Sequence, residues 1–258
     1  MACPEGEQEA NLARAAEGVR EAAGRGTDLV VLPELWASGY DLAHADRYAA
    51  SLNQGAFAYS AGLARDHKIW LTGSLLERGD DGAYYNTAVL WDPDGAIRAM
   101  YRKVHLFRLM DEDRYLRPGD QALVFELPWG RTALAICYDL RFPELFRRYA
   151  LSGAVLTIVP AQWPRTRVAH WQVLLRARAI ENQMFVIGCN RVGSHEEFTF
   201  GGRSAVVDPW GEVLVEGDEE AAVLTAELDM TKVARARRKI PVFEDRRPEV
   251  YGGLNGWR

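Results

Sequence analysis

Cysteine is scarce in this chain: Cys3, Cys137 and Cys189 are the only three among 258 residues, and no two stand in C-x-x-C spacing. Sparse, odd-numbered thiols exclude a disulfide framework and a zinc–thiolate site, so no metal is expected and each thiol needs its own explanation. Apolar segments of membrane-spanning length are missing as well. The two longest uncharged stretches, 48–64 and 149–164, are interrupted by Ser51, Asn53, Gln54 and Ser60 and by Ser152, Thr157, Pro160 and Gln162, too polar and too short to cross a hydrocarbon core. The start, Met1-Ala2-Cys3-Pro4-Glu5, turns acidic at once, without a basic and then apolar leader, which points to the cytoplasm. No G-x-G-x-x-G or G-x-x-x-x-G-K-[ST] follows a strand, so neither NAD nor ATP is implied and no cofactor is expected. Positive charge is in deficit, 31 Lys and Arg against 36 Asp and Glu. Its one cluster is Arg235, Arg237, Arg238 and Lys239, so the chain has no general field for nucleic acid.

The remaining composition, 48% hydrophobic and 26% charged, is that of an ordinary globular chain with a large core. No repeat or linker divides it, and a single domain is expected over residues 1–258. Leu12, Ala15, Ala16, Val19, Ala22 and Ala23 recur at helical spacing over 10–24, and Gly24 and Gly26 close that helix before the apolar run Leu29 to Leu32. A helix over 56–67, a strand over 69–76 and a hairpin of 85–91 with 96–101 around Asp92-Pro93-Asp94-Gly95 follow. Beyond them the pattern predicts strands at 132–136, 155–159 and 184–188, alternating with helices at 143–151 and 168–182. Late strands at 203–207, 212–215 and 222–227 precede a basic helix near 230–239. Helices alternating with strands, mixed with hairpins, argue for an α/β protein with a mixed sheet, or two sheets face to face beneath helices.

Three segments place one reactive side chain at the end of an apolar strand. Leu29-Val30-Val31-Leu32-Pro33-Glu34 ends in a carboxylate, either a solvated acid or a general base. Tyr101-Arg102-Lys103-Val104-His105 ends a hairpin, with Lys103 and His105 on one face if the strand continues. These two are either a solvated basic edge or an ammonium for a developing oxyanion with a packed histidine. Ala133-Leu134-Ala135-Ile136-Cys137-Tyr138-Asp139 carries a cysteine at a strand-to-helix turn, where a nucleophile is exposed to backbone N–H donors. Cys137 is the candidate nucleophile; a thiol with pKa near ~8.5 needs a neighbouring base. Cys189 reads as packing and Cys3 as an incidental exposed thiol.

In this order the three segments resemble the carbon–nitrogen hydrolase (nitrilase) superfamily over nearly the whole chain. Leu32-Pro33-Glu34-Leu35 is similar to the family's glutamate segment, Tyr101-Arg102-Lys103-Val104-His105-Leu106 to its lysine segment, and Cys137-Tyr138-Asp139-Leu140-Arg141-Phe142-Pro143-Glu144 to its cysteine segment. Glu112 falls where the family has a second active-site glutamate. Arg176 to Asn182 and Asp208-Pro209-Trp210-Gly211 look like family framework. The resemblance implies a four-layer α-β-β-α sandwich, usually a homodimer or higher homo-oligomer, with Glu34, Lys103 and Cys137 as catalytic triad and Glu112 in support. It also implies that the Tyr138 N–H helps to hold an oxyanion. The likeness is greatest to the omega-amidase branch, which implies a small amide substrate such as the terminal amide of 2-oxoglutaramate. Arg141, Arg165 and Arg167 are then unranked candidates for the substrate carboxylate, and Trp163 and Tyr138 for pocket walls.

Three alternatives remain open at this level. They are a Cys-His hydrolase pairing Cys137 with His105 or His170, a nitrilase or N-carbamoyl hydrolase on the same triad, and a silent scaffold. The family begins with a short apolar strand that Met1 to Glu7 does not supply, so a missing or truncated strand and an exposed sheet edge are expected.

Overall fold

The structure, a computed structural model, describes residues 1–195 and 198–251; residues 196–197 and 252–258 of the expected domain lie outside the described residues. Strands β1 (Leu29–Val31), β2 (Trp70–Arg78), β3 (Tyr84–Trp91) and β4 (Ile97–Arg102) form one sheet in that order. β1 is parallel to β2, and β2, β3 and β4 are antiparallel. The β3–β4 turn is the Asp92-Pro93-Asp94-Gly95 legible in the sequence. Asp92 Oδ1 accepts from the N–H groups of Asp94 and Ala96 at 2.9 Å each, and Gly95 supplies a φ of 81°.

The second sheet contains β5 (Val124–Leu127), β6 (Gly130–Leu134), β7 (Leu156–Ala161) and β8 (Phe185–Asn190). After a separate ribbon of β9 (Val192–His195) and β10 (Phe198–Gly201), β11 (Ala205–Val207) and β12 (Val213–Glu216) complete it in the order β12-β11-β8-β7-β6-β5. Its centre, β6-β7-β8, is parallel because helices Pro143–Leu151 and Val168–Asn182 make the crossovers. The first of these starts on Pro143, whose missing N–H costs nothing at that position, and buries Leu145, Phe146, Tyr149 and Ala150 on one face.

Strand alternation builds the layers. In β3, Val89 and Trp91 pack with Ala15 and Val19 of helix Gln8–Gly24 and Phe57 and Ala64 of helix Gly55–His67. Their neighbours Ala88 and Leu90 point the other way, into a core shared with Ala133, Leu156 and Ile158 of the second sheet. Trp171 and Leu175 close that core from the far side. The result is the expected α-β-β-α sandwich, whose sheets meet face to face. Among the described residues no helix is long and apolar enough to cross a membrane.

Three expectations need correction. Residues 222–227 form no strand. The Arg25 guanidinium takes up backbone and side-chain acceptors of this segment instead, binding Val223 O at 2.8 Å and Thr225 Oγ1 at 3.1 Å. Cys3 is not an exposed thiol: it is fully buried in the core beneath helix Gln8–Gly24, and that burial pushes its pKa up. The strand carrying the lysine segment ends at Arg102, so Lys103 and His105 lie on the bend beyond it. The leader adds no sheet strand, since Ala2 makes one isolated parallel bridge to Val192, and β1 is an edge.

Gly188 in β8 lies flat under helix Val168–Asn182: a Cβ there would stand 2.6 Å from Trp171 Cζ2 and 2.8 Å from both methyls of Leu175. Gly188→Ala is expected to cost about 1–3 kcal/mol by overpacking, read in urea denaturation as a lower midpoint at unchanged slope.

Candidate active site

Each reactive side chain leaves the sandwich where regular pairing stops. Beyond β1, Leu32 N–H still donates to Thr72 O at 2.7 Å, but Pro33 has no N–H with which to continue the ladder. Glu34 therefore opens a turn. Leu35 then takes a φ of 41°, pinned by its N–H to Ser74 Oγ at 2.9 Å. Lys103 follows β4 with its backbone clamped on both sides: its N–H donates to Asn86 O at 2.9 Å, and its C=O accepts from Gly119 N–H at 2.8 Å. Cys137 opens a single-turn helix, Cys137–Arg141, with φ at 45°. A non-glycine residue in that region carries strain of about 1–2 kcal/mol, as expected of a nucleophile elbow.

The three segments converge with Glu112, the first residue of the short helix Glu112–Tyr115. Glu34, Lys103 and Glu112 have no solvent exposure, and Cys137 has 5%. Lys103 Nζ donates to Glu34 Oε1 at 2.8 Å and to Glu112 Oε1 at 2.7 Å. Tyr40 OH lies 2.8 Å from each of the same two oxygens, and its single proton serves one at a time. Asn86 Nδ2 donates to Glu34 Oε1 at 2.8 Å, and the Gln162 N–H donates to Glu34 Oε2 at 2.9 Å. Glu112 Oε2 accepts the Phe107 N–H at 2.6 Å, which ties the loop after the lysine back to the carboxylate.

Burial by itself would lower the Lys103 pKa, yet the Glu112 and Glu34 carboxylates outweigh it and hold the ammonium above its usual value. Lys103 is thus a fixed positive charge. Burial, and then the Glu34 charge, push the Cys137 thiol well above the ordinary range, with Lys103 only partly offsetting them. The resting sulfur is protonated and needs a base within reach. Glu112 is raised, first by burial and then by Glu34, against the pull of Lys103. Burial and the same two carboxylates raise Tyr40 well above the phenol range, so it stays a donor.

A fully buried carboxylate, Asp139, joins the lysine segment to the cysteine turn. Its Oδ2 accepts from Ile136 N–H at 2.9 Å and Tyr101 OH at 2.8 Å, and its Oδ1 from His105 N–H at 3.0 Å. His105 Nδ1 is 2.7 Å from that same oxygen. Tyr101 and His105 flank Lys103 at two residues on either side, so one carboxylate sets the register between Lys103 and Cys137.

At the outer end, the half-buried Phe107, Tyr138 and Phe142 form an aromatic rim, with ring centroids 4.8 Å apart for Phe107–Tyr138 and 5.2 Å for Tyr138–Phe142. The Arg141 guanidinium lies 4.5 Å over the Trp163 ring and 3.3 Å from His170 Nδ1. The Arg167 guanidinium is 6.0 Å from the Phe107 ring. Burial, and the neighbouring Arg167 charge, lower the Arg141 pKa. No acid among the described residues pairs with either arginine, whereas Arg165 is paired with Glu219 at 3.3 Å. Trp163 is a buried floor for Arg141, and its Nε1–H is spent on Arg167 O at 2.8 Å.

The structure brings Glu34, Lys103, Glu112 and Cys137 together and sets Tyr138, Arg141 and Trp163 around them. Its two candidate histidines are engaged elsewhere: His105 stacks on Phe142 at 3.6 Å and binds Asp139, and His170 meets Arg141. Sequence reasoning missed Tyr40, Asn86, Asp139 and Gln162 as members of the site. Asp139 stood inside a quoted segment, and its type beside a nucleophile was the one available signal. Asn86 and Gln162 lie 52 and 128 residues from Glu34, and Tyr40, though six residues from Glu34, is 72 from Glu112, so no local pattern assigns them to the site.

The carbon-nitrogen hydrolase family model matches residues 2–238. The chain is 42% identical to the 2-oxoglutaramate amidase of Bacillus subtilis over 87% of its own length and 86% of that protein's. It is 36% identical to the human omega-amidase NIT2, over 93% and 91% of the two chains. Among solved structures, a mutant of the amidase from Nesterenkonia sp. AN1, with the acetamide moiety of fluoroacetamide added covalently at its active site cysteine, covers all of this chain and matches 94% of that one. The TM-score is 0.86 and the identity 29%. With the sandwich, the buried cluster and the family match in agreement, the chain belongs to the carbon–nitrogen hydrolase family.

Proposed function

We propose that this protein is an amidase that hydrolyses the terminal amide of a small 2-oxo acid, 2-oxoglutaramate or a near analogue, and releases ammonia through a Cys137 thioester. The observation that carries the reading is the dry Glu34–Lys103–Glu112 cluster against Cys137, which supplies a base, a nucleophile and an oxyanion donor for acyl transfer from a carboxamide. Glu34 takes the thiol proton as sulfur attacks the amide carbon, because the protonated thiol is too weak a nucleophile. The carbonyl oxygen becomes an oxyanion against Lys103 Nζ and the Tyr138 N–H, which stands in the first turn of a helix, where N–H groups have no intrahelical acceptor. As the C–N bond breaks, Glu34 returns the proton to the leaving nitrogen, and ammonia departs. Water, deprotonated by Glu34, then cleaves the thioester and restores the thiol. Glu112 holds the ammonium in place and balances its charge.

The outer arginines select the acid. Two adjacent guanidiniums without an acidic partner among the described residues, floored and flanked by aromatic rings, suit the carboxylate and 2-oxo group of such a substrate. The names borne by the Bacillus subtilis and human relatives support the same substrate class. A cytoplasmic location fits the three free thiols. The assembly is a homodimer or higher homo-oligomer through the outer face of helix Val168–Asn182, where Val173 is 65% and Ile180 52% exposed, one above the other two turns apart.

Four outcomes check these assignments. Purified protein releases ammonia from 2-oxoglutaramate well above simple aliphatic amides, N-carbamoyl compounds or nitriles. Cys137→Ala abolishes this turnover, and a Cys137→Ala protein with full activity overturns the nucleophile. Arg141→Met raises KM for 2-oxoglutaramate about 10- to 100-fold through loss of a charged hydrogen bond while leaving kcat within about threefold; an unchanged KM removes Arg141 from carboxylate recognition. Val173→Glu combined with Ile180→Glu gives a monomer in light scattering where the parent is a dimer or larger, and a monomeric parent overturns the assembly.

A further inference from the structure

Glu34 is not held by the lysine alone. Its Oε1 accepts from Lys103 and Asn86 at 2.8 Å each, which fills the two lone-pair positions of one carboxylate oxygen, and the Tyr40 OH, shared with Glu112, lies at 2.8 Å as well. Its Oε2 receives one, the Gln162 N–H, and so retains an open acceptor position. The side chain of the same Gln162 reaches back, with Nε2 donating to Glu34 O at 2.7 Å. Its remaining atom, Oε1, accepts from Arg191 Nη1 at 2.6 Å.

Arg191 is 1% exposed, one of the largest fully buried side chains in the protein. A buried guanidinium is costly unless it is used. It lies 4.1 Å over the Phe200 ring and 3.9 Å from Glu5 Oε1, and its own N–H donates to Ala161 O at 3.0 Å. The next residue along, Trp163, is bound through both backbone groups by the Asn190 side chain, at 2.6 and 3.2 Å. The end of β8 therefore grips the end of β7, and β7 grips the glutamate.

We propose that Gln162 and Arg191 form a positioning relay that presents Glu34 Oε2, and not Oε1, as the atom that accepts the Cys137 proton. The inference rests on Glu34 acting as the base. Oε1 is spent on the ammonium and its neighbours. Oε2 is aimed by Gln162, whose amide is fixed in orientation because Arg191 can only donate. In the first step the Sγ–H bond breaks, its proton moves to Oε2, the sulfur pair forms the S–C bond, and the carbonyl π pair moves to oxygen under Lys103. Neither relay residue touches the substrate; both act through Glu34.

The test uses Gln162→Met, which keeps volume and the backbone N–H but loses both side-chain bonds, and Arg191→Met, which removes the other end. Each is expected to lower kcat on 2-oxoglutaramate about 10- to 100-fold, the scale of a misplaced catalytic group, with KM within about threefold. Gln162→Glu retains size and an acceptor for Arg191 but cannot donate to Glu34 O, and shows the same kcat loss should either methionine variant fail to fold. Normal kcat in the folded variants, or a loss that falls on KM with kcat unchanged, with Glu34→Gln inactive, overturns the relay. A fully active Glu34→Gln overturns instead the underlying assignment of the base.

Discussion

One ammonium in a dry interior organises this molecule. Lys103 has no contact with solvent, and an unpaired charge there would cost several kcal/mol. It is held by two carboxylates from distant parts of the chain, Glu34 and Glu112. Those carboxylates are equally buried and equally dependent on it. Removing Lys103 would leave two buried carboxylates without a counter-charge, a loss of about 3–5 kcal/mol in buried pairs. The turn after β1, the bend after β4 and the loop closed by Phe107 and Glu112 must therefore reach their places together.

The same cluster sets the chemical poise of the site. Two carboxylates and one ammonium leave an excess of negative charge around Cys137, and with burial this keeps the sulfur protonated at rest. In the proposed mechanism the thiol is activated only when a carbonyl is present to accept its electrons and Lys103 to receive the new oxyanion. Stabilising groups already in position need no reorganisation during the reaction, the main source of electrostatic catalysis. Asp139 extends this rigidity, because its four contacts tie the positive-φ turn of Cys137 to the residues on both sides of Lys103. Strain at the nucleophile is maintained by a carboxylate that takes no part in the chemistry.

The site divides into a charged, saturated interior and an under-paired rim. Inside, the hydrogen-bonding capacity of Glu34 and Glu112 is almost entirely used by protein donors. At the rim, Arg141 and Arg167 stand near each other without a partner acid among the described residues, and Arg141 rests on the buried plane of Trp163. Interior groups suit bond making and breaking, and rim groups suit recognition of an anion. The division matches an amide that carries its own carboxylate.

The sequence alone carried the local and patterned part of this account. Period-2 and period-3.6 alternation located the layers, Asp92-Pro93-Asp94-Gly95 located the hairpin turn, and the segments around Glu34, Lys103 and Cys137 located the side chains that converge in the buried cluster, because these features depend on residues near one another in the chain. Composition also misled where a tertiary partner decided the outcome: residues 222–227 join no strand and are bound by the Arg25 side chain, and Cys3 is drawn into the core despite its acidic neighbours. Tertiary structure alone decided which atoms meet. Tyr40, Asn86, Gln162 and Arg191 act on partners elsewhere in the chain, Arg165 is withdrawn from the rim by Glu219, and both histidines are committed away from the sulfur. Such contacts arise from the packing of two sheets at their strand ends, where side chains from separate strands converge, and no local regularity of sequence records them.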